Sequence, residues 1–347
     1  MAVTKVPANL PQLVKAAFSK ARHNGDLLYF QTQVTILKPG SHPFQLRFSP
    51  ALASKPTGPV PTASQTKRVF DPFENIPPEL LVAALPSHNL VLNKFAIVPE
   101  HFILATSSFR PQTDLLDEDD LAVTYECIEA YHTHCERGDE ESRVHEGELF
   151  AFFNSGEFSG ASQPHRHIQL LPVARMRDGL EDGEWDVLAK RLVGEVKDLP
   201  FSTFAEEIEP GMSPRQLWEA YLRLYRRACN AVGAFLGRQD VAEGAQIQVD
   251  GPARISYNLA VTRHALTVCP RLADGAPVWD SGEVVGKLSL NGTVLAGTAL
   301  VKSSIEWDAL RKDPNELLQV LSAIGLPKRY EGSVRGHLEV SGSGLRN

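Results

Sequence analysis

Cysteine is scarce in this chain of 347 residues, long apolar runs are missing, and basic residues are not in surplus. The four cysteines (Cys127, Cys135, Cys229, Cys269) are scattered and form no C-x-x-C pair, which argues against a disulfide framework or a cysteine zinc site. No apolar stretch approaches the roughly 18 residues of a membrane span. The opening MAVTKVPANLPQLVKAAFSKA reads as an amphipathic helix rather than a signal peptide. Lys and Arg number 35 against 42 Asp and Glu, a net charge of −7, so nonspecific attachment to nucleic acid or an anionic membrane is not expected. Neither a P-loop nor a G-x-G-x-x-G fingerprint occurs, so any phosphate chemistry must come from another fold. The expected location is the cytoplasm, shared with the nucleus.

What is present is the balance of a globular protein: 43% hydrophobic and 22% charged residues. The length exceeds the roughly 250–300 residues at which one core stops growing, so two domains or one bilobal unit are expected. Leu10, Leu13, Val14, Ala17, Phe18 and Ala21 recur at helical spacing and predict a helix ending near Asn24-Gly25. Leu27–Lys38 and FQLRFS (44–49) read as strands. From Pro50 to Pro78 there are seven prolines and few apolar residues, the composition of a long surface segment, which contains Lys55 and the Lys67-Arg68 pair. Residues 88–107 read as two β segments joined at Pro99-Glu100. A helix with an acidic start at 114–120 is expected to run to about Cys135, followed by an acidic loop and the strand GELFAFFNS. Gln216–Leu236 is a strongly patterned helix. ARISYNLAVT, HALTVCPR and GTVLAGTALV read as strands, and Asp313-Pro314 as the N-cap and first position of a final helix. LVLNKFAIVPEHFILAT and ISYNLAVTRHALTVCP echo each other as hairpins that each carry a His (His101, His264).

The chemistry-bearing stretch is Asn154-Ser-Gly-Glu-Phe-Ser-Gly-Ala-Ser-Gln-Pro-His-Arg-His-Ile-Gln169. On a strand, His165, His167 and Gln169 share one face, and Arg166, Ile168 and Leu170 the other. Two imidazoles and an amide on one face are unusual both for a core and for a solvent face. The small residues upstream bring backbone N–H groups close to an anion. A neutral imidazole beside a phosphate cradle suits attack of nitrogen on phosphorus, through a phosphoramidate that is readily reversed. H-x-H-x-Q alone is more often a metal pair or satisfied surface histidines than a nucleophile; joined to the upstream Asn-Ser-Gly and small-residue loop, it favours the nucleophile. His132, His134 and Cys135 lie on a helix where i and i+2 diverge, so no shared metal site is expected there.

Together these residues resemble the signature of the fungal diadenosine tetraphosphate phosphorylases, or ATP adenylyltransferases, of the galactose-1-phosphate uridylyltransferase branch of the histidine triad superfamily. QLRFSPALASKPT, VLNKFAIVPEHF, NSGEFSGASQPHRHIQLLP and LNGTVLAGTALVK carry the resemblance over nearly the whole chain. It implies that His167 is the nucleophile, taking AMP from the dinucleotide, expelling ATP, and passing the adenylyl group to inorganic phosphate as ADP. It implies that Gln169 stands where hydrolytic relatives have a third histidine, as a donor that cannot shuttle protons. His165 would support the nucleophile. Lys55, Asn93, Lys94, Asn154, Gly160, Ala161, Ser162 and Gln163 match substrate-binding positions, as do Asn291, Gly292, Thr293 and Lys302. Thr298 replaces an expected methionine, a local departure at a base or ribose contact.

The expected fold is α+β: a mixed, mostly antiparallel sheet with the H-x-H-x-Q strand near its centre, flanked by helices, in a bilobal single unit. Residues 1–195 would form the catalytic region and 196–347 a region completing the nucleotide site. A divalent cation, Mg²⁺, would accompany the polyphosphate without a dedicated protein site, and a monomer is expected. The competing readings are a dinucleoside polyphosphate hydrolase, a hexose-1-phosphate uridylyltransferase, and a nucleotide-binding sensor without chemistry.

Overall fold

In the computed structural model of the chain, residues 6–52, 70–136, 147–180, 185–194, 199–238, 240–241 and 248–328 are described. Lys55, Lys67 and Arg68 lie outside them. The first helix, Leu10–Asn24, buries Leu10, Val14, Phe18 and Ala21 along one stripe and ends at Gly25, whose φ of +82° closes the last turn. The longest helix among the described residues, Pro214–Leu236, opens with Ser213 and Gln216 in a reciprocal capping box and a proline at its first position. With Glu118–Glu136, which carries three acidic residues in its first turn, these helices cover one face of a large sheet.

That sheet has eight strands, every neighbouring pair antiparallel. Leu149–Ser155 and His167–Pro172 lie side by side at its middle. The echo hairpins flank this pair: Tyr257–Val261 with Ala265–Pro270 beyond the first strand, and His88–Leu92 with Phe102–Thr106 beyond the second. Phe204–Glu207 and Leu81–Ala84 are the edges.

The central strands are buried on both sides, so they read as apolar runs rather than as alternation. Ala151, Phe153, Ile168 and Leu170 belong to the core beneath the helices. Phe150, Phe152 and Leu171 belong to a second core, shared with a three-stranded sheet (Gln33–Leu37, Phe44–Phe48, Thr298–Val301), a ribbon (Gly275–Asp280, Glu283–Ser289) and the helices Ser304–Lys312 and Asn315–Ile324. The strand Thr298–Val301 pairs in parallel with Phe44–Phe48, joining C-terminal to N-terminal sequence. The expected mixed α+β architecture is thus observed, with the H-x-H-x-Q strand central.

Four local expectations are corrected. Residues 27–38 form two short strands, Leu28–Tyr29 and Gln33–Leu37, not one. GTVLAGTALV is a strand only from Thr298: Asn291 caps a 3₁₀ turn over Gly292–Ala296, and Gly297, at φ +72°, ends it. Pro314, not Asp313, caps the final helix. The proline-rich segment is not all surface, because Phe73 is buried against the histidine strand.

Among the described residues no helix is long and apolar enough to cross a membrane. No group of three His, Cys, Asp or Glu among them could hold a metal ion.

Candidate active site

The face assignment read from the sequence is observed, although the regular strand begins only at His167; His165 makes an isolated bridge to Pro111. Both rings are buried. The His167 Nδ1–H donates to the His165 carbonyl at 2.8 Å. That bond fixes the tautomer and leaves the lone pair on Nε2. Burial holds the His167 pKa below its ordinary value, with smaller influences from the His165 carbonyl, the His165 ring and Asp71. The ring is therefore neutral at physiological pH.

Two residues outside every motif hold His167 in place. Gln112, buried, accepts the His167 backbone N–H at 2.7 Å and donates to the Asn154 carbonyl at 2.8 Å and the His167 carbonyl at 3.2 Å. Phe73 lays its ring at 5.3 Å and 35° to the imidazole of His167. From the opposite face, Arg166 donates to Asp117 at 2.9 Å and to Asp120 at 2.8 Å, and His88 Nε2 pairs with Asp120 at 2.8 Å. The acidic cluster thus serves both as a helix start and as a buried clamp on the strand.

Beside the histidine strand, between the large sheet and the C-terminal segment, lies a cavity of about 360 Å³. Its lining unites Asn93, Gly160, Ser162, Gln169, Asn291, Thr293, Thr298 and Lys302, eight of the expected positions, drawn from sequence 209 residues apart (93 to 302). Phe95, Ile97, Phe152 and Leu171 supply an apolar wall. Ala161 and Gln163 instead line a neighbouring hollow with Phe109 and Glu157, and Ser162 stands between the two spaces. His165 lines a third hollow with Asp71 and Phe109. His167 lies inward, with His165 and Gln169 opening onto different hollows. Lys94 is exposed and is not in the cavity lining; its backbone carbonyl accepts from Leu28.

Asn154 and Gly292 build the cavity rather than line it. The Asn154 amide oxygen accepts from the Gly292 N–H at 2.9 Å and from Asn258 at 2.8 Å. A side chain at 292 would meet Phe152 at 2.6 Å and this same oxygen at 2.8 Å, so only glycine lets the C-terminal turn approach the central strand. Gly160, at φ +77°, is confined in the same way by Leu290 and Asn291. The Asn291 side chain accepts from the Thr293 N–H and hydroxyl, so it shapes the turn.

Two cavity residues were not expected from sequence. His101, read there as a hairpin residue, is buried; its Nδ1 accepts from Asn93 at 3.1 Å and its Nε2 makes no hydrogen bond of normal geometry. Burial pushes its pKa down to about 4, the nearby Gln169 amide offsetting only part of this. The ring is neutral, and with Nδ1 accepting, its N–H is on Nε2, on the side of Gln169. Arg47 is also buried, donating to Gln45 at 2.7 Å, to Thr32 at 2.9 Å and to the Met176 carbonyl. Burial lowers its pKa to about 10, so it stays a cation in the cavity wall. Arg47 lies in QLRFSPALASKPT and His101 in VLNKFAIVPEHF, but neither residue carries a chemical pattern of its own there.

The arrangement brings together a buried neutral imidazole, a cavity with amide groups and an apolar wall, and cations at Arg47 and Lys302. Residues 2–135 and 141–181 match the family model described as the Ap4A phosphorylase N-terminal domain, and residues 197–327 that of the ATP adenylyltransferase C-terminal domain. The chain is 27% identical over 339 residues to Protein APA1 of Saccharomyces cerevisiae, covering 93% of this chain and 96% of that protein. It is also 27% identical over 344 residues to diadenosine 5',5'''-P1,P4-tetraphosphate phosphorylase 2 of the same yeast, with the same coverage. Its fold is similar to the crystal structure of yeast Ap4A phosphorylase Apa2 in complex with Ap4A: TM-score 0.68, 26% identity, 92% of this chain and 98% of that one.

Proposed function

The chain belongs to the Ap4A phosphorylase family, and from that premise we propose that it cleaves diadenosine tetraphosphate with inorganic phosphate, yielding ADP and ATP. The observation that carries the chemistry is the pinned tautomer of His167: Nδ1–H held on a backbone carbonyl, Nε2 free, and the ring kept neutral by burial. Nε2 attacks the α-phosphorus of one adenosine. The bond to the bridging oxygen breaks, ATP departs with that oxygen, and AMP remains on Nε2. An oxygen of inorganic phosphate then attacks the same phosphorus, the P–N bond breaks, its electron pair returns to Nε2, and ADP leaves. The two steps are of one kind, so the cycle is reversible.

Gln169, which lines the cavity, offers its amide as a donor for a non-bridging oxygen, and the buried His101 ring interacts with that amide from behind. Gln169 has no proton to relay, which favours an intermediate that waits for phosphate over one that water discharges. Lys302 and Arg47 supply positive charge to the anionic ligand. The cavity lining holds one carboxylate, Asp274, already paired with Lys287 at 2.8 Å. A Mg²⁺ ion would therefore be carried by the polyphosphate and screen its charge, rather than bind a protein cage.

The test is product analysis of diadenosine tetraphosphate with and without phosphate. Phosphate-dependent ADP plus ATP is expected; AMP plus ATP formed without phosphate would refute phosphorolysis. In parallel, His167→Asn should still bind AMP and should no longer become labelled by it. Label on that variant would place the covalent bond elsewhere.

A further inference from the structure

Residues 70–74, Phe-Asp-Pro-Phe-Glu, follow the proline-rich segment and fall in no motif. Phe70 is exposed and Phe73 buried. The two oxygens of the Asp71 carboxylate do different work. Oδ1 accepts the backbone N–H of Phe73 at 2.9 Å and closes the turn that turns the Phe73 ring inward. Oδ2 accepts the Nδ1–H of His165 at 2.7 Å. The other nitrogen of that ring, Nε2, stands 3.0 Å from the Thr106 hydroxyl and 2.9 Å from the Thr106 carbonyl. Phe73 packs edge-on against His165 (5.5 Å, 80°) and tilted over His167 (5.3 Å, 35°).

His165 is thus held at both ring nitrogens, and its carbonyl is the group that holds Nδ1–H of His167. An unbroken line runs from the Asp71 carboxylate through the His165 ring and backbone to the nucleophile. Placing a carboxylate in this half-buried position costs some desolvation free energy, and this one is not needed for the sheet ladder, which His167–Pro172 completes without it. Its position is useful where charge changes: on attacking phosphorus the imidazole of His167 becomes positive, and a carboxylate one residue away offsets that charge.

We propose that Asp71, acting through His165 and with Phe73 as its partner, is a positioning residue for the adenylyl-transfer step. This rests on the phosphorolysis reading and adds to it a residue pair that the motifs do not contain. Phe73 covers a face of the imidazole, and the attacking lone pair lies in the ring plane, so the same contact that orients the ring leaves Nε2 able to react.

The test uses the full chain and three measurements: single-turnover labelling by adenylate, affinity for AMP, and thermal melting. A misplacement of about 1 Å costs roughly 100-fold in rate, and Asp71→Ala should slow labelling by about that factor while AMP affinity stays within about twofold. Asp71→Asn has one acceptor oxygen where the carboxylate has two, so it should recover part of the loss, to within roughly 10-fold of the wild-type rate. Labelling by Asp71→Ala within about threefold of the wild type would overturn the proposal. So would a loss of AMP affinity and melting temperature that accounts for the whole loss of rate, since a merely structural carboxylate behaves that way. Wild-type protein that makes no phosphate-dependent ADP would instead overturn the phosphorolysis reading, an outcome separable from either of these.

Discussion

Replacing Gln112 by Ala would remove three hydrogen bonds around His167 at once. The His167 N–H loses its acceptor at 2.7 Å, and the carbonyls of Asn154 and His167 lose donors at 2.8 and 3.2 Å. A buried N–H left alone costs about 2 kcal/mol, and a carbonyl with a second lone pair about 0.5, so the sum is about 3 kcal/mol. Against a total stability of about 5–15 kcal/mol this is a large fraction. It should lower the melting temperature by roughly 5 °C. Released from its anchor, the His167 backbone no longer holds Nε2 in line, and labelling by adenylate should slow by roughly 100-fold. Gln112→Glu sharpens the test. Its carboxylate still accepts the His167 N–H, but it has no donor for the two carbonyls and brings a buried negative charge. It should be no more stable than Gln112→Ala, and the added charge should draw a proton onto His167 and weaken the nucleophile at neutral pH. Urea unfolding with single-turnover labelling checks both variants. Gln112→Ala unfolding within about 0.5 kcal/mol of the wild type, with unchanged labelling, would refute this account of the site.

Acid sensitivity should come partly from His101. Unfolded, its imidazole takes up a proton near 6.5; folded, near 4. Above pH 6.5 both forms are neutral and nothing is gained or lost; as pH falls from about 6.5 to about 4 only the unfolded chain binds the proton, and about 3 kcal/mol of stability is lost. Urea midpoints across that range should flatten by about this amount in His101→Asn, and an unchanged pH slope would count against the buried neutral ring. Gly292→Ala forces either Phe152 or the Asn154 amide to move. It should cost about 1–3 kcal/mol and weaken AMP binding, measured by calorimetry. Unaltered affinity would show that the close approach of the C-terminal turn is not what shapes the cavity.

Much of the candidate site was legible because its signals are local. The alternation that puts His165, His167 and Gln169 on one face is a property of any strand, and small residues before it predict a tight loop whatever surrounds them. The helices Leu10–Asn24 and Pro214–Leu236 could be read because an amphipathic stripe and its caps lie within one segment. The residues that hold His165 and His167 could not be read this way. Gln112 is 55 positions from His167 and Asp71 is 94 from His165. A lone glutamine or aspartate in a polar stretch carries no pattern, and its partner is chosen by which segments the sheet brings together. Phe73 was hidden by its neighbours, because proline-rich composition says where regular structure is absent and not which side chain turns inward.

By itself the sequence determined the class of fold, the faces of the histidine strand and the kind of chemistry an imidazole beside a small-residue loop can do. Tertiary structure alone decided that Thr298–Val301 would pair with Phe44–Phe48, that Gly292 would close against Asn154, and that His101 and Arg47 would face the same cavity. The physical reason is range. Periodicity and capping act over a few residues, whereas burial, and with it the neutral state of His167, depends on contacts between distant segments that exist only once the chain has folded.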